Sequence, residues 1–134
     1  MSMEIIIPGI PVSKKRPRFF VRGKHVGAYN PQESEESKTM WHIAKAMNGQ
    51  KPCANAVALD MTFYMPIPAS LSQKKREALL IIPLHTKKPD IDNLIKHVLD
   101  SANGILFEDD RQICEITARK RYGAEAKTIV KVST

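Results

Sequence analysis

The chain has 134 residues, 43% hydrophobic and 26% charged, which suits one globular domain over residues 1–134 with a sizeable apolar core. No apolar run approaches the roughly 20 residues needed to cross a bilayer, which excludes a membrane-spanning function. Lys and Arg number 21 against 14 Asp and Glu, a formal net charge of +7, and that balance points to a polyanionic partner, most often nucleic acid.

Residues 3–7, MEIII, read as a short β-branched strand ended by Pro8 and Gly9. The leading MSMEIIIPGIPV lacks a basic leader and a cleavage site, so it is not read as a signal peptide. PVSKKRPRFFVRGKHVG follows, a loop or loose hairpin punctuated by Pro and Gly. It carries Lys14, Lys15, Arg16, Arg18, Arg22 and Lys24 around Phe19 and Phe20. Such an arm could neutralise phosphates while its aromatic pair anchors to the core or stacks on a base; it could equally be a solvated loop.

Asn30-Pro31-Gln32-Glu33 has the form of a helix start, with a capping Asn, Pro at the first helical position and Glu three residues after the cap. The helix should run to Met47 and stop at Asn48-Gly49, burying Met40, Ile43, Ala44 and Met47, with Trp41 beside them in the core or at a subunit contact. Residues 55–65 alternate as a strand, with Val57, Leu59, Met61 and Phe63 on one face. Ser70-Leu71-Ser72-Gln73 resembles another capping box, opening a short inserted helix that carries Lys74, Lys75 and Arg76.

Beyond Pro89, apolar residues recur at Ile91, Leu94, Ile95, Val98, Leu99 and Ala102, a helical stripe closed by Asn103-Gly104. ILFEDD makes a turn, RQICEITARKRYG a strand, and residues 126–132 a last strand. This order predicts an α+β fold: a mixed or antiparallel sheet with two main helices packed on it and the short inserted helix. Cys53 and Cys114 are isolated, which fits two buried free thiols in a reducing compartment, and the four histidines show no metal spacing.

The segment KPDIDNLIK, residues 88–96, sets two acids two apart at a helix start. The helix dipole accounts for either one alone, at about 0.3–1 kcal/mol, but not for both. If Asp90 is still extended, its side chain can converge with that of Asp92. The helix is about 17 Å long. Residues 103–110 can extend about 23 Å, so Asp109 or Asp110 could return beside the first pair. Carboxylates so gathered repel unless a cation joins them, and hard oxygen ligands suit Mg²⁺ or Mn²⁺. On a basic surface, such a site suits metal-dependent hydrolysis of a phosphodiester. Lys96, one helical turn after Asp92, could stabilise transition-state charge or simply pair with Asp92 or Asp100.

The run KPDIDNLIKHVLDSANGILFEDDRQI strongly resembles the RusA family of crossover junction endodeoxyribonucleases, Holliday junction resolvases common in prophages. The likeness lies in the D-x-D-N-L-x-K helix start, the apolar helix and the DD pair leading into the next strand. More loosely, GIPVSKKRPRF resembles the family's basic N-terminal segment, and MPIPASLSQKKR a helical insertion of a subgroup. The resemblance implies a Mg²⁺-dependent homodimer, with Mn²⁺ a possible substitute, that nicks two opposed strands of four-way junction DNA in the cytoplasm of a bacterium. It assigns the metal to Asp90, Asp92 and Asp110 and makes Lys96 the essential lysine. The connection from helix to DD pair is one residue shorter than in the best-known bacterial member, which leaves Asp109 beside Asp110 as third ligand. Lys14, Lys15, Arg16, Arg18, Lys88, Lys120 and Arg121 are candidate DNA contacts. The competing expectations are a non-catalytic basic DNA-binding module, and a metal nuclease acting on other branched DNA.

Overall fold

A computed structural model describes residues 2–15, 18–22, 25–29 and 33–134, with side chains for 2–15 and 34–134. In chain order the elements are β1 (Ser2–Pro8), β2 (Arg18–Arg22), β3 (His25–Tyr29), α1 (Glu33–Met47), β4 (Val57–Pro66), α2 (Gln73–Ile81) and α3 (Ile91–Ala102). A 3-10 turn (Asp110–Gln112) leads into β5 (Ile113–Gly123), and β6 (Lys127–Ser133) ends the chain. The basic segment after β1 forms an antiparallel hairpin, β2 with β3. The capping sequence expected at residues 30–32 lies outside the described residues.

The main sheet has the order β1-β6-β4-β5. β6 pairs antiparallel with β1 and with β4, whereas β5 runs parallel to β4 and forms an edge. A parallel neighbour requires a long crossover, and α2 and α3 provide it. Alternation decides which side of β4 faces the helices: Val57, Leu59, Met61, Phe63 and Met65 are buried, and they meet Ile5 and Ile7 of β1, Val130 and Val132 of β6, Ile43 and Met47 of α1, and Leu94, Val98 and Ala102 of α3. Each large aliphatic side chain so buried contributes on the order of 1.5–3 kcal/mol. The other sheet face carries Asp60 and Arg119, joined by two hydrogen bonds of 2.8 and 3.2 Å; Thr62 Oγ1 accepts a further one from Arg119 at 2.8 Å. This fork holds the Asp60 carboxyl below its usual range.

Several expectations need correction. In α1, Thr39, Ile43 and Met47 are the buried residues, whereas Met40 and Ala44 face outward. A polar residue thus completes the stripe, because Thr39 finds a partner on α3. Trp41 is 56% exposed, not core, with the Lys45 ammonium 4.9 Å from its ring centre. The short helix is capped by Ser72, whose Oγ accepts from the Lys75 N–H at 3.3 Å, two residues beyond the expected cap, and it buries none of its residues. Cys114 is exposed and Cys53 half-buried, both free. A bulge explains Cys114: Val57 pairs with Ile113 and Ala58 with Glu115, so Cys114 has no partner in the ladder.

Candidate active site

Asp90 follows Pro89 in an extended conformation (φ −70°, ψ 143°) and is the N-cap of α3 by backbone position, yet its side chain makes no capping hydrogen bond. Asp92 lies in the first turn, where its Oδ1 accepts from the Asn93 N–H at 3.0 Å. Both line one open pocket of about 580 Å³ with His85, Ile91 and residues Ala118, Arg119, Lys120 and Arg121 of β5. Two exposed carboxylates therefore lie beside a strand whose Lys120 and Arg121 line the same pocket, while the Arg119 guanidinium is bonded to Asp60.

The loop before α3 is fastened to that strand. Lys120 Nζ donates to the carbonyls of Lys87 and, at 2.7 Å, of Pro89. The Tyr122 N–H donates to the Pro83 carbonyl at 2.7 Å, and Leu84 bridges Arg121. Lys120 thus holds the backbone that carries Asp90. His85 packs on Tyr122, ring centres 4.7 Å apart, and its pKa is lowered by burial first and by Lys120 and Lys87 second. A neutral imidazole therefore lines the pocket at neutral pH. Its place was missed in the sequence, where only its position between Pro83 and Pro89 marked it out; the run ARKRYG already held Arg119 and Lys120 together.

Asp110 does not join the pair. The 103–109 segment is folded locally rather than extended back along the helix: the Gly104 N–H donates to the Phe107 carbonyl at 2.8 Å and the Leu106 N–H to the Ala102 carbonyl at 2.9 Å. Burial of Leu106 and Phe107 uses up the reach that an extended chain would have had. It is β5 that returns beside α3, and from Ile113 to Ala118 it covers roughly 16 Å at 3.3 Å per residue, with Asp110 further back still. Among the described residues no group of three His, Cys, Asp or Glu side chains could hold a metal ion.

The DD pair is itself divided. The Asp109 side chain accepts from the Arg111 N–H at 2.9 Å, and Gln112 Oε1 accepts from the Asp109 N–H at 2.8 Å, a capping box on the 3-10 turn. That bond to the Arg111 amide, more than the nearby charges, holds the Asp109 carboxyl below the usual range. Asp110 is exposed.

The candidate cations fall into different settings. Lys14 pairs with Glu36 at 2.6 Å and with Asp100 at 3.2 Å, and its backbone N–H donates to the Asn93 carbonyl at 2.9 Å. It straps the N-terminal segment to α1 and α3. Hydrogen bonding to Glu36 raises its pKa. Lys96 is 63% exposed and lies 3.9 Å from Asp100 Oδ1. Lys15 and Lys88 are exposed, and Arg121 lines the pocket. Arg16 lies outside the described residues, as does the side chain of Arg18.

Asp90 and Asp92 fit a hard divalent cation: Mg²⁺ is commonly held by one or two carboxylates, completed by water and substrate phosphate. Asp90, with no hydrogen bond spent on the helix end, keeps its oxygens available. No helix of the described residues is long and apolar enough to cross a membrane.

The sequence model of one protein family, Endodeoxyribonuclease RusA, matches residues 8–133. The chain is also 30% identical over 138 residues to "Uncharacterized protein YqaN" of Bacillus subtilis (strain 168), a match covering 97% of this chain and 94% of that protein.

Proposed function

The chain belongs to the RusA endodeoxyribonuclease family, and on that premise we propose that Asp90 and Asp92 hold Mg²⁺, or Mn²⁺ in its place, and that Asp110, apart from them within one chain, supplies a third carboxylate only in the assembled homodimer. Membership makes the protein a structure-specific endonuclease, a hydrolase acting on branched DNA such as Holliday junctions, with divalent-metal-dependent catalysis. The reading takes residues 1–134 as one nuclease domain and a homodimer as the working unit, since a four-way junction presents two symmetry-related strands and a two-fold dimer presents two sites. The cell compartment proposed is the cytoplasm.

The observation that carries the reading is that the Asp90 carboxylate makes no bond to the helix it caps, yet shares with Asp92 a pocket lined by residues 118–121 of β5, Lys120 and Arg121 among them. A purely structural cap would spend its oxygens on the helix amides. When bound, a divalent cation supplies positive charge at the scissile phosphate and makes a nucleophile available from water at neutral pH. Asp90 and Asp92 orient that charge. Lys120 fixes the Pro89 backbone and hence the aim of Asp90. Lys96, on the exposed side of α3, faces developing negative charge on the phosphate. Lys15, Arg16, Arg18, Lys88 and Arg121 contact the DNA backbone. Cleavage leaves a 5′-phosphate and a 3′-hydroxyl, ends that a ligase can join.

The test is a labelled four-way junction incubated with the protein, with and without Mg²⁺, beside a linear duplex and a fork. Paired nicks in the junction are expected with Mg²⁺ alone, and Asp90→Asn should abolish them while leaving junction binding intact or tighter. Salt-sensitive binding with no Mg²⁺-dependent product from the wild-type protein would reject the nuclease site.

A further inference from the structure

We propose that the outer face of α1 is a second nucleic-acid surface, on which an unstacked base of branched DNA lies against Trp41 while Lys38 and Lys45 meet the flanking phosphates. The inference rests on the family's DNA substrate and not on the metal site. The sheet order sets β1 and β5 at opposite edges, and α1 packs on β1 and α3 whereas α3 packs on β5. This face is therefore separate from the pocket that holds Asp90 and Asp92 beside β5.

The first observation is an aromatic ring that folding leaves out. The core takes Thr39, Ile43 and Met47 from this helix, whereas Trp41 faces solvent and is 56% exposed. Leaving a side chain of this size in water forgoes one of the larger burial gains open to the fold. The ring is nonetheless held. The Lys45 ammonium lies over it, 4.9 Å from its centre, and the His42 imidazole meets it edge to face with ring centres 4.9 Å apart. An indole both exposed and held is a stacking platform: it loses little freedom when a base settles on it, and every base has a π-face to offer.

The second observation is the charge around the ring. Lys38 and Lys45 stand three residues before and four after Trp41, on the same helical face, and both are exposed. From residue 37 to residue 59 the chain has no Asp or Glu, and Lys51 adds another exposed cation just past the helix end. A ring flanked by cations in an acid-free stretch fits a polyanion that carries flat aromatic groups, which describes a nucleic-acid strand. A continuous duplex keeps its base faces stacked on one another, so the platform selects unstacked nucleotides, which branched DNA exposes where its arms part. A second copy of the chain fits less well: it would bury Lys38 and Lys45 along with Trp41 and Met40, and lysine is depleted from protein interfaces. A lipid surface also fits less well, because the apolar stripe of α1 is spent on the core.

Trp41 is the only tryptophan, so the emission of the intact protein reports on this position alone. Metal-free protein is titrated with an oligothymidylate of about ten nucleotides. The emission should be quenched in a saturable way, and a linear duplex of the same length should quench it less. Trp41→Ala, followed by the anisotropy of labelled oligothymidylate, should bind it at least about fivefold more weakly at an unchanged melting temperature, and Trp41→Phe should recover part of the affinity. Lys38→Gln with Lys45→Gln should reduce the salt slope by about 1.4. Equal affinity of Trp41→Ala and wild type, or binding without quenching, overturns the platform. So does emission that shifts to the blue as protein concentration rises without DNA, which would give the face to a second copy. Equal quenching by the duplex overturns the choice of unstacked bases. Quenching by a protein that cuts no junction with Mg²⁺ would uphold the platform while rejecting the nuclease site.

Discussion

Thr39 Oγ1 and His97 Nε2 meet at 2.9 Å in the buried seam between α1 and α3. The Thr39 hydroxyl donates to the Glu35 carbonyl at 3.2 Å, so its oxygen is left to accept, which places the imidazole proton on Nε2. His97 Nδ1 then faces a buried position without a hydrogen-bond partner. A second proton there would be a buried donor with no acceptor.

Acid should therefore destabilise the fold through His97. Burial lowers its pKa below 6.5, against the opposing pull of Glu36, Glu35 and Asp100, while Lys14 pushes in the same direction as burial. A histidine depressed in the folded state binds its proton more readily when unfolded. Its contribution is complete above the unfolded pKa and is lost as pH falls from there through the folded pKa. The melting temperature should thus decline as pH falls below about 6.5. His97→Gln, which keeps an amide to bond Thr39, should flatten that decline. Equal slopes in the two proteins would show that His97 is not the titrating group.

The two aspartates of the DD pair should separate cleanly. Asp109 is committed to the Arg111 amide, whereas Asp110 is exposed. Asp109→Ala should lower the melting temperature by loosening the turn into β5, with its effect on cleavage following stability. Asp110→Asn should leave the melting temperature unchanged and remove cleavage. Melting curves paired with junction cleavage at a temperature where both variants are folded would decide, and the reverse pattern would exchange the two roles.

How far the sequence could carry the reading varies by element. The alternation at Val57, Leu59, Met61 and Phe63 announced β4, because a strand with one face on the core needs a period of two. Asp90 and Asp92 stood out because the helix dipole needs only one acid. Thr39 and His97 were not legible: a stripe read from apolar residues alone cannot include two polar residues that satisfy each other. The parallel pairing of β4 with β5 was also hidden, since it is set by the crossover through α2 and α3 and not by either strand. The course of residues 103–110 was hidden for a related reason. Chain length says how far a segment can reach, while Leu106 and Phe107 decide that it curls into the core instead.

Lys14 should behave as a structural strap and not as a phosphate ligand. Its ammonium lies between Glu36 and Asp100, 22% exposed. Lys14→Met should lower the melting temperature by a few degrees and leave the salt dependence of junction affinity almost unchanged. Lys88→Ala, at an exposed position before Pro89, should do the opposite: an unchanged melt and a salt slope smaller by about one. Equal salt slopes for Lys88→Ala and wild type would remove Lys88 from the DNA contacts.

Lys96 presents the sharpest conflict between a structural and a chemical role. It lies 3.9 Å from Asp100, but that carboxylate is also 3.2 Å from Lys14, so the pair is shared as well as exposed. An exposed pair of this kind contributes about 0–1 kcal/mol, and losing one of two cations costs less than losing both. Stability alone therefore gives little reason for a lysine there, whereas a phosphate approaching the N-terminal part of α3 would meet its ammonium directly. Lys96→Ala should leave the melting temperature within about a degree of wild type and junction affinity nearly intact. The cleavage rate should fall by on the order of a hundredfold or more, as expected when a group that stabilises transition-state charge is removed. Lys96→Arg keeps the charge but changes its shape and should recover only part of the rate. Single-turnover cleavage at saturating protein isolates this step from binding, and an unimpaired rate in Lys96→Ala would leave the residue as nothing more than a surface partner of Asp100.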